Sequence, residues 1–311
     1  MLIQYRNKTW WQSGNIVTTL AKFGSHSQDF KDHAANIISN TFDKSRNQNG
    51  ASNWKNDYYD DEGWWALGWI ASYDLTGDAK YLDAAKDLFE DMTGGWSTPC
   101  DGGIWWDKPK TQLTAIANEL FLSVAAHIAN RVAGEEKESY LGWAQAEWDW
   151  FSNSGLINGE NVINDGLDHN TCQNDGDTVW SYNQGVILGA LAELAKATGD
   201  GKYTDEAKRI ADAAMQKLSQ DGILTEPVDS LDEQGAQFKG AFVRGLAALN
   251  GQAPEQAFAD YLKRNADSAW ERGKNGEDVI GPNWSGEEQG PAGTTSHAAG
   301  VDVLVAAAQV A

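Results

Sequence analysis

Two adjacent carboxylates set among aromatic residues are the feature with most chemical promise: Asn56-Asp57-Tyr58-Tyr59-Asp60-Asp61-Glu62-Gly63-Trp64-Trp65. Trp64 follows Asp60 by four residues and Trp65 follows Asp61 by four, so on a helix each pair shares a face. Neighbouring carboxyls repel, and one holds its proton to higher pH than the other. An ionised and a protonated carboxyl about 5 Å apart are the pair that a retaining glycosidase uses. A plainer role also fits. Acids favour the first turn of a helix, where they meet unpaired N–H groups and the positive end of the dipole. Spacing alone leaves both roles open, and Asp57 and Glu62 read as capping and structural acids.

Other candidates lie in Gly- and Trp-rich stretches. Trp106, closing Asp101-Gly102-Gly103-Ile104-Trp105-Trp106, can floor a sugar subsite or pack under its loop. Trp180, Tyr182, Asn183 and Gln184 open a helical run; the amides can donate and accept toward hydroxyls, or cap and brace the loop. Asp165 can accept from two hydroxyls of one sugar. Phe238 and Lys239 are weaker candidates, and Arg244, deeper in the same run, is expected to pair with a buried acid. The five histidines show no metal spacing, and His127 sits on an apolar helical pattern. Asp165, Asp168, Asp175 and Asp177 invite a calcium loop. With Gly176 at the turn, however, Thr171 and Tyr182 fall at the terminal ligand positions, so the pattern fails. No phosphate-binding glycine motif and no serine elbow occur, and the chemistry requires neither cofactor nor metal.

The elements that must position these residues are helices. Asp83–Phe89 and Glu206–Ala214 carry strong helix formers at helical spacing, and strand-like alternation is scarce. Leu75-Thr76-Gly77-Asp78-Ala79-Lys80-Tyr81 returns as Ala197-Thr198-Gly199-Asp200-Gly201-Lys202-Tyr203. In each, Gly can end one helix in the left-handed cap and Asp can open the next. Similar turns can be placed at Gly24, Gly134 and Gly251. The five glycines then stand 53, 57, 65 and 52 residues apart, a repeat of helical hairpins. Longer connections, roughly 47–59, 93–109, 153–177, 220–235 and 273–294, join one hairpin to the next and are where function is expected. Five hairpins and a last helix, Ser296–Val310, make eleven helices, one short of six closed pairs. Small-residue runs such as Gly185–Ala197 and Gly240–Leu249 suit a crowded inner ring. No linker divides the chain, so residues 1–311 are expected to form a single domain.

Composition narrows the ligand. The net charge of −21 opposes nucleic acid and anionic membrane surfaces as partners and leaves neutral ligands open. Tryptophan is abundant, 15 residues with 9 Tyr and 9 Phe, which suits either sugar stacking or an aromatic core. No apolar run reaches the roughly 18 residues of a membrane span. Met1–Arg6 turns polar at once, and the apolar end Leu304–Ala311 is short, so neither a leader nor an anchor signal is expected in this chain. Cys100 and Cys172 fall in consecutive long loops, which suits one disulfide in a secreted protein.

The run from Tyr58 to Trp65, followed by Tyr73-Asp74-Leu75-Thr76-Gly77-Asp78, resembles glycoside hydrolase family 76, the endo-α-1,6-mannanases. Thr9-Trp10-Trp11-Gln12-Ser13, Gly102–Trp106, Thr114–Asn118, Trp180–Gly185 and Phe238-Lys239-Gly240 extend the resemblance over nearly the whole chain. It implies an all-α (α/α)6 barrel and retaining hydrolysis of α-1,6-linked mannan. It also implies Asp60 as nucleophile and Asp61 as acid/base. Tyr59, Trp64, Trp65, Trp106, Trp180, Tyr182 and Phe238 are then the aromatic candidates for binding sugar, with Asp165, Asn183 and Gln184 as polar ones. The reading is a secreted, monomeric endo-mannanase acting on α-mannan. A transglycosidase and a catalytically silent glycan-binding barrel are the rivals. The departure is the missing twelfth helix.

Overall fold

Helices that are buried all round alternate with amphipathic ones along the chain. The computed structural model describes residues 9–286 and 290–311. The opening run Met1–Arg6 lies outside them, as do residues 287–289 of the last long connection. Among the described residues there are eleven α-helices, the expected number. Contacts divide the chain into two units. One is Met1–Leu156 with Gly166–Asp175, the other Ile157–Asp165 with Gly176–Ala311.

The first unit holds three hairpins: α1 (Trp10–His26) with α2 (Gln28–Ser45), α3 (Tyr59–Thr76) with α4 (Ala79–Thr93), and α5 (Ala115–Ala129) with α6 (Gly134–Asn153). The leading helix of a pair is the more buried. Every residue of α5 except His127 is buried, whereas α4 buries one stripe of Tyr81, Leu82, Ala85, Leu88, Phe89 and Met92. Small residues let the buried helices approach closely: a Cβ on Gly68 of α3 would lie 2.8 Å from the Gly14 carbonyl oxygen of α1. The repeated turn works as its sequence implies. Gly77 caps α3 at φ 72°, and its N–H donates to the Tyr73 carbonyl at 2.7 Å. Asp78 then accepts from the Lys80 N–H at 3.1 Å.

Short antiparallel strands brace the long connections of this unit. They are the hairpin β1 (Trp96–Thr98) with β2 (Gly102–Ile104), and a sheet ordered β3 (Leu113–Thr114), β4 (Gly166–Asp168), β5 (Gln173–Asn174). Strands of two or three residues are too short to show alternation, so the sequence does not reveal them. The Cys100–Cys172 disulfide is formed, with Cα atoms 5.5 Å apart.

The second unit contains α7 (Ser181–Thr198) with α8 (Lys202–Lys217), the short hairpin β6 (Ser219–Gln220) with β7 (Ile223–Leu224), α9 (Phe238–Gln252) with α10 (Gln256–Glu271), and α11 (Thr294–Gln309). Gly199 repeats the left-handed cap at φ 75°. The heads of α7 and α9 touch backbone to backbone: a Cβ on Gly185 would fall 2.2 Å from Phe242 Cα. Arg244 pairs with Asp302, a buried acid, as expected. Two of the placed turns shift. Gly24 lies inside α1, where a Cβ would meet Ala34 Cβ at 2.8 Å, and the chain turns at Ser27 instead. Gly251 belongs to the last turn of α9, and the break falls at Ala253. A glycine that permits close packing and one that ends a helix look alike in sequence.

Gly185→Ala should destabilise the protein by about 3 kcal/mol or more, because overpacking against a backbone cannot relax. Gly142→Ala, at a helical position with nothing within 4 Å, should instead stabilise by about 0.5–1 kcal/mol. Urea denaturation of the two variants separates the cases. Replacing Cys100 and Cys172 by Ser opens a link between residues 72 apart and should cost about 2–4 kcal/mol. Peptide mapping without reductant should recover the linked pair.

Candidate active site

Two loops clamp the head of α3. The Tyr59 N–H donates to the Trp106 carbonyl at 2.9 Å, and the Lys108 N–H donates to the Asp57 carbonyl at 2.9 Å. Asn56 completes the approach, its Oδ1 accepting from the Tyr58 N–H at 2.9 Å and its Nδ2 donating to Asp61 Oδ2 at 2.6 Å. Tyr58 is the N-cap residue and makes no side-chain cap. Asp60 and Asp61 therefore enter the first turn side by side, both half-buried. Asp60 Oδ1 is buried without a hydrogen-bond partner. Glu62 is fully buried and braces the clamp. Its Oε1 accepts from the Asn56 N–H at 3.1 Å and from Lys108 Nζ at 2.9 Å, and Lys108 also reaches Asp91 at 2.7 Å. Asp57 is exposed and contributes its carbonyl.

Desolvation dominates the electrostatics here. Burial, and then the charge of Asp61, push the Asp60 carboxyl well above the usual carboxylate range; Trp106 and the N–H groups of the opening turn offset only part of this. Burial raises Asp61 to about 6, opposed by the Asn56 hydrogen bond, and raises Glu62 to about 8, opposed by Lys108. Both carboxyls are therefore raised in unlike settings: Asp61 accepts from the Asn56 amide, whereas Asp60 keeps a buried Oδ1 without a partner.

The aromatic candidates of this unit divide by exposure. Trp65 is fully buried, with Trp10 at 4.9 Å, Trp69 at 5.4 Å and Trp54 at 6.4 Å between ring centroids. Trp64 is 3% exposed and stacks on Trp11, and Tyr59 is buried against Gly95. These three rings form the bed of α3, and a sugar has no free face of theirs to stack on. That corrects the expectation for Tyr59, Trp64 and Trp65: a helix buried all round sends its aromatics into the core. Trp106 is half-buried and packs at 4.7 Å against Tyr58, itself 40% exposed. This pair, beside Asp60, is the open aromatic surface. Asn56 and Lys108 were missed in the sequence. An Asn two residues ahead of a helix start is an Asx-turn signal that points to the first.

The second unit gathers most of its candidates at the head of α7. Asp165 Oδ1 accepts from the Tyr182 hydroxyl at 3.1 Å and from Asn183 Nδ2 at 3.0 Å. Tyr182 lies flat on Phe238, 4.1 Å and 11° apart, and Trp180 meets Phe238 edge-on at 5.4 Å. Trp180, Tyr182 and Phe238 are half-buried, while Asn183 is fully buried with its Oδ1 unpartnered. Gln184 is not available to a ligand. Its amide is spent on the Ile163 N–H and carbonyl, both at 2.9 Å, and on the Trp180 carbonyl at 3.0 Å. Its part is to brace the loop, which corrects the binding expectation. Lys239 is buried at 1% exposure beside Glu226.

A carboxyl whose folded pKa lies above its unfolded value keeps its proton in the folded state longer. Stability is therefore greatest at low pH and falls as pH rises through the folded pKa. With Asp61 near 6, Glu62 near 8 and Asp60 raised, the protein should lose stability between about pH 5 and 8, by up to about 1.4 kcal/mol per pH unit for each group. Asp60→Asn should raise the melting temperature at pH 8 and change it little at pH 5, which thermal scans at the two pH values will show.

The model of glycosyl hydrolase family 76 matches residues 2–310. The mannan endo-1,6-alpha-mannosidase DCW1 of Candida albicans is 27% identical over 257 residues, 74% of this chain and 56% of the relative. The mannan endo-1,6-alpha-mannosidase DFG5 of Saccharomyces cerevisiae is 26% identical over 249 residues, 72% of this chain and 54% of the relative. The chain thus spans about half the length of the curated relatives it matches. Among solved structures, an inactive variant of the alpha-1,6-mannanase GH76A of Salegentibacter sp. HEL1_6 carries asparagine for two consecutive aspartates and was crystallised with alpha-1,6-mannotriose. It superposes with a TM-score of 0.86 at 24% identity, covering 98% of this chain and 90% of that one. Dfg5 of Chaetomium thermophilum, in complex with glucosamine, gives 0.79 at 20% identity, covering 97% and 80%. These likenesses show the fold, an all-α helical barrel, as the resemblance implied. With the family match running from one end of the sequence to the other, the chain belongs to glycosyl hydrolase family 76.

Proposed function

We propose that this chain is a retaining endo-α-1,6-mannanase, and that residues 1–311 act as one catalytic domain. The observation that carries the reading is the adjoining pair Asp60–Asp61 at the head of α3, held in unlike environments beside the Tyr58–Trp106 aromatic pair. The relatives named as mannan endo-1,6-alpha-mannosidases, and the mannanase inactivated at two consecutive aspartates, support it. The disulfide fits an oxidising compartment and so a secreted protein, which we take to be monomeric.

Asp60 attacks the anomeric carbon from the face opposite the leaving group and forms a glycosyl-enzyme. Asp61 gives its proton to the departing glycosidic oxygen, then takes one from the water that releases the sugar. The pair needs one proton between its two carboxyls, and burial supplies that condition at neutral pH by raising both. A second reading exchanges the two roles. The Asn56 hydrogen bond, which steadies an ionised Asp61, favours it.

Asp60→Asn and Asp61→Asn should each lower kcat on linear α-1,6-mannan by about 10³-fold or more while the fold persists. Early products should be short oligomers, and proton NMR should show the α-anomer first. A β-anomer first, or mannose alone, would refute the retaining or the endo assignment respectively. Labelling with a 2-deoxy-2-fluoro-mannosyl fluoride, followed by peptide mass spectrometry, decides between the two roles. A label on Asp60 supports the first reading, and one on Asp61 the exchange.

A further inference from the structure

Ser181, Glu226 and Lys239 lie beneath the aromatic cluster at the head of α7, and all three are nearly inaccessible, at 0%, 2% and 1% exposure. Glu226 sits in the connection before α9. One carboxylate oxygen accepts from the Ser181 N–H at 3.1 Å and the other from the Ser181 hydroxyl. Glu226 thus caps α7 from outside the helix, where the N-cap residue Trp180 makes no side-chain cap. Lys239 is the second residue of α9. Its ammonium lies 3.4 Å from the carbonyl of Leu224, two residues before Glu226, and stands 4.3 Å over the Trp284 ring. The segment Leu224–Glu226 therefore holds the first residue of α7 through the Glu226 carboxylate and the second residue of α9 through the Leu224 carbonyl. The chain neighbours of these two residues are Tyr182 and Phe238, the rings that stack flat at 4.1 Å.

We propose that Glu226 and Lys239 are positioning residues: their buried contacts with Ser181 and the Leu224 carbonyl set the register of the α7 and α9 heads, and so align the Tyr182–Phe238 platform, with Asp165, as a mannosyl-binding subsite. The proposal rests on the mannanase reading. Neither residue can touch a sugar, since both are shut from solvent, so their effect passes through the rings. Charge-assisted hydrogen bonds suit this task better than apolar contacts, because their geometry is directional: Glu226 takes both Ser181 donors, and Lys239 reaches the Leu224 carbonyl.

Single substitutions strand one buried charge and endanger folding. The informative variant is the double Glu226→Gln, Lys239→Met, which removes both charges and keeps the volumes. Its circular dichroism and melting temperature should stay near those of the parent. KM for α-1,6-mannotriose should rise about tenfold with kcat changed less than about twofold, the mark of lost binding without lost chemistry. In protein carrying ¹³C-labelled Tyr and Phe, the resonances of Tyr182 and Phe238 should move as the stacked ring currents change. A folded double variant with parental KM, or with unmoved Tyr182 and Phe238 resonances, overturns the proposal. If the double variant does not fold, Ser181→Ala removes the hydroxyl tether alone and should move the same two readouts in the same direction; no movement in either overturns it. Should the parent protein neither cleave nor bind mannotriose, it is the mannanase reading that fails. The resonances then decide the positioning role by themselves.

Discussion

Taking two adjacent carboxylates out of water is the costly act around which the first unit is arranged. A lone ionised carboxylate in an apolar setting neutralises sooner than stay charged, and two side by side do so more readily. Asp60 and Asp61 are partly withdrawn from solvent and given few donors: Asp60 Oδ1 is buried without a partner, and Asp61 accepts from the Asn56 amide. Fuller hydrogen bonding would hold both ionised and deprive the pair of its proton. What keeps this under-solvated arrangement in place is rigidity elsewhere. The glycine contact between α1 and α3, and the packed rings of Trp10, Trp54, Trp65 and Trp69, leave the head of α3 no room to relax.

Buried charge serves a second purpose in both units, as fastening. Glu62 and Lys108 join the α3 head to the loop that supplies Trp106. Glu226 holds the head of α7 through Ser181, Lys239 in the head of α9 reaches the Leu224 carbonyl, and Arg244 with Asp302 joins α9 to α11. Buried pairs of this kind add little net stability, because desolvation consumes much of their attraction; what they confer is a fixed geometry. At the heads of α3, α7 and α9 the fastened element is a helix terminus or the loop leading to it, where backbone groups lack helical partners. Fraying there would move the residues that face the ligand.

Much of the architecture was written in local chemistry. A Gly-Asp turn between runs of helix formers is satisfied within a few residues, so the repeated Thr-Gly-Asp punctuation revealed the hairpins, and long Gly- and Trp-rich intervals revealed the connections. The paired aspartates were legible for the same reason: adjacency is a property of the chain, and any helix start brings the two together. Cys100 and Cys172 were legible because the chain has two cysteines and both fall in consecutive long connections. Gly24 misled, since close packing against Ala34 and a helix stop make the same demand for a small residue.

Which aromatic keeps an open face and which is core was settled only in three dimensions. Trp64 and Trp65 follow the aspartates at helical spacing, yet their faces are taken by Trp11, Trp10, Trp54 and Trp69, residues distant in the chain. Trp106 and Tyr58 meet across two connections, and Tyr182 and Phe238 across two helices, so no window of sequence contains either pair. The raised proton affinity of the aspartate pair was hidden for a like reason. The helix dipole is local and can be read from the chain, but desolvation depends on everything that surrounds a carboxyl, and that is set by packing. Sequence determined which groups this protein can bring to bear; tertiary structure decided which of them keep a face to the solvent and which surrender it, because exposure belongs to the fold and not to the residue.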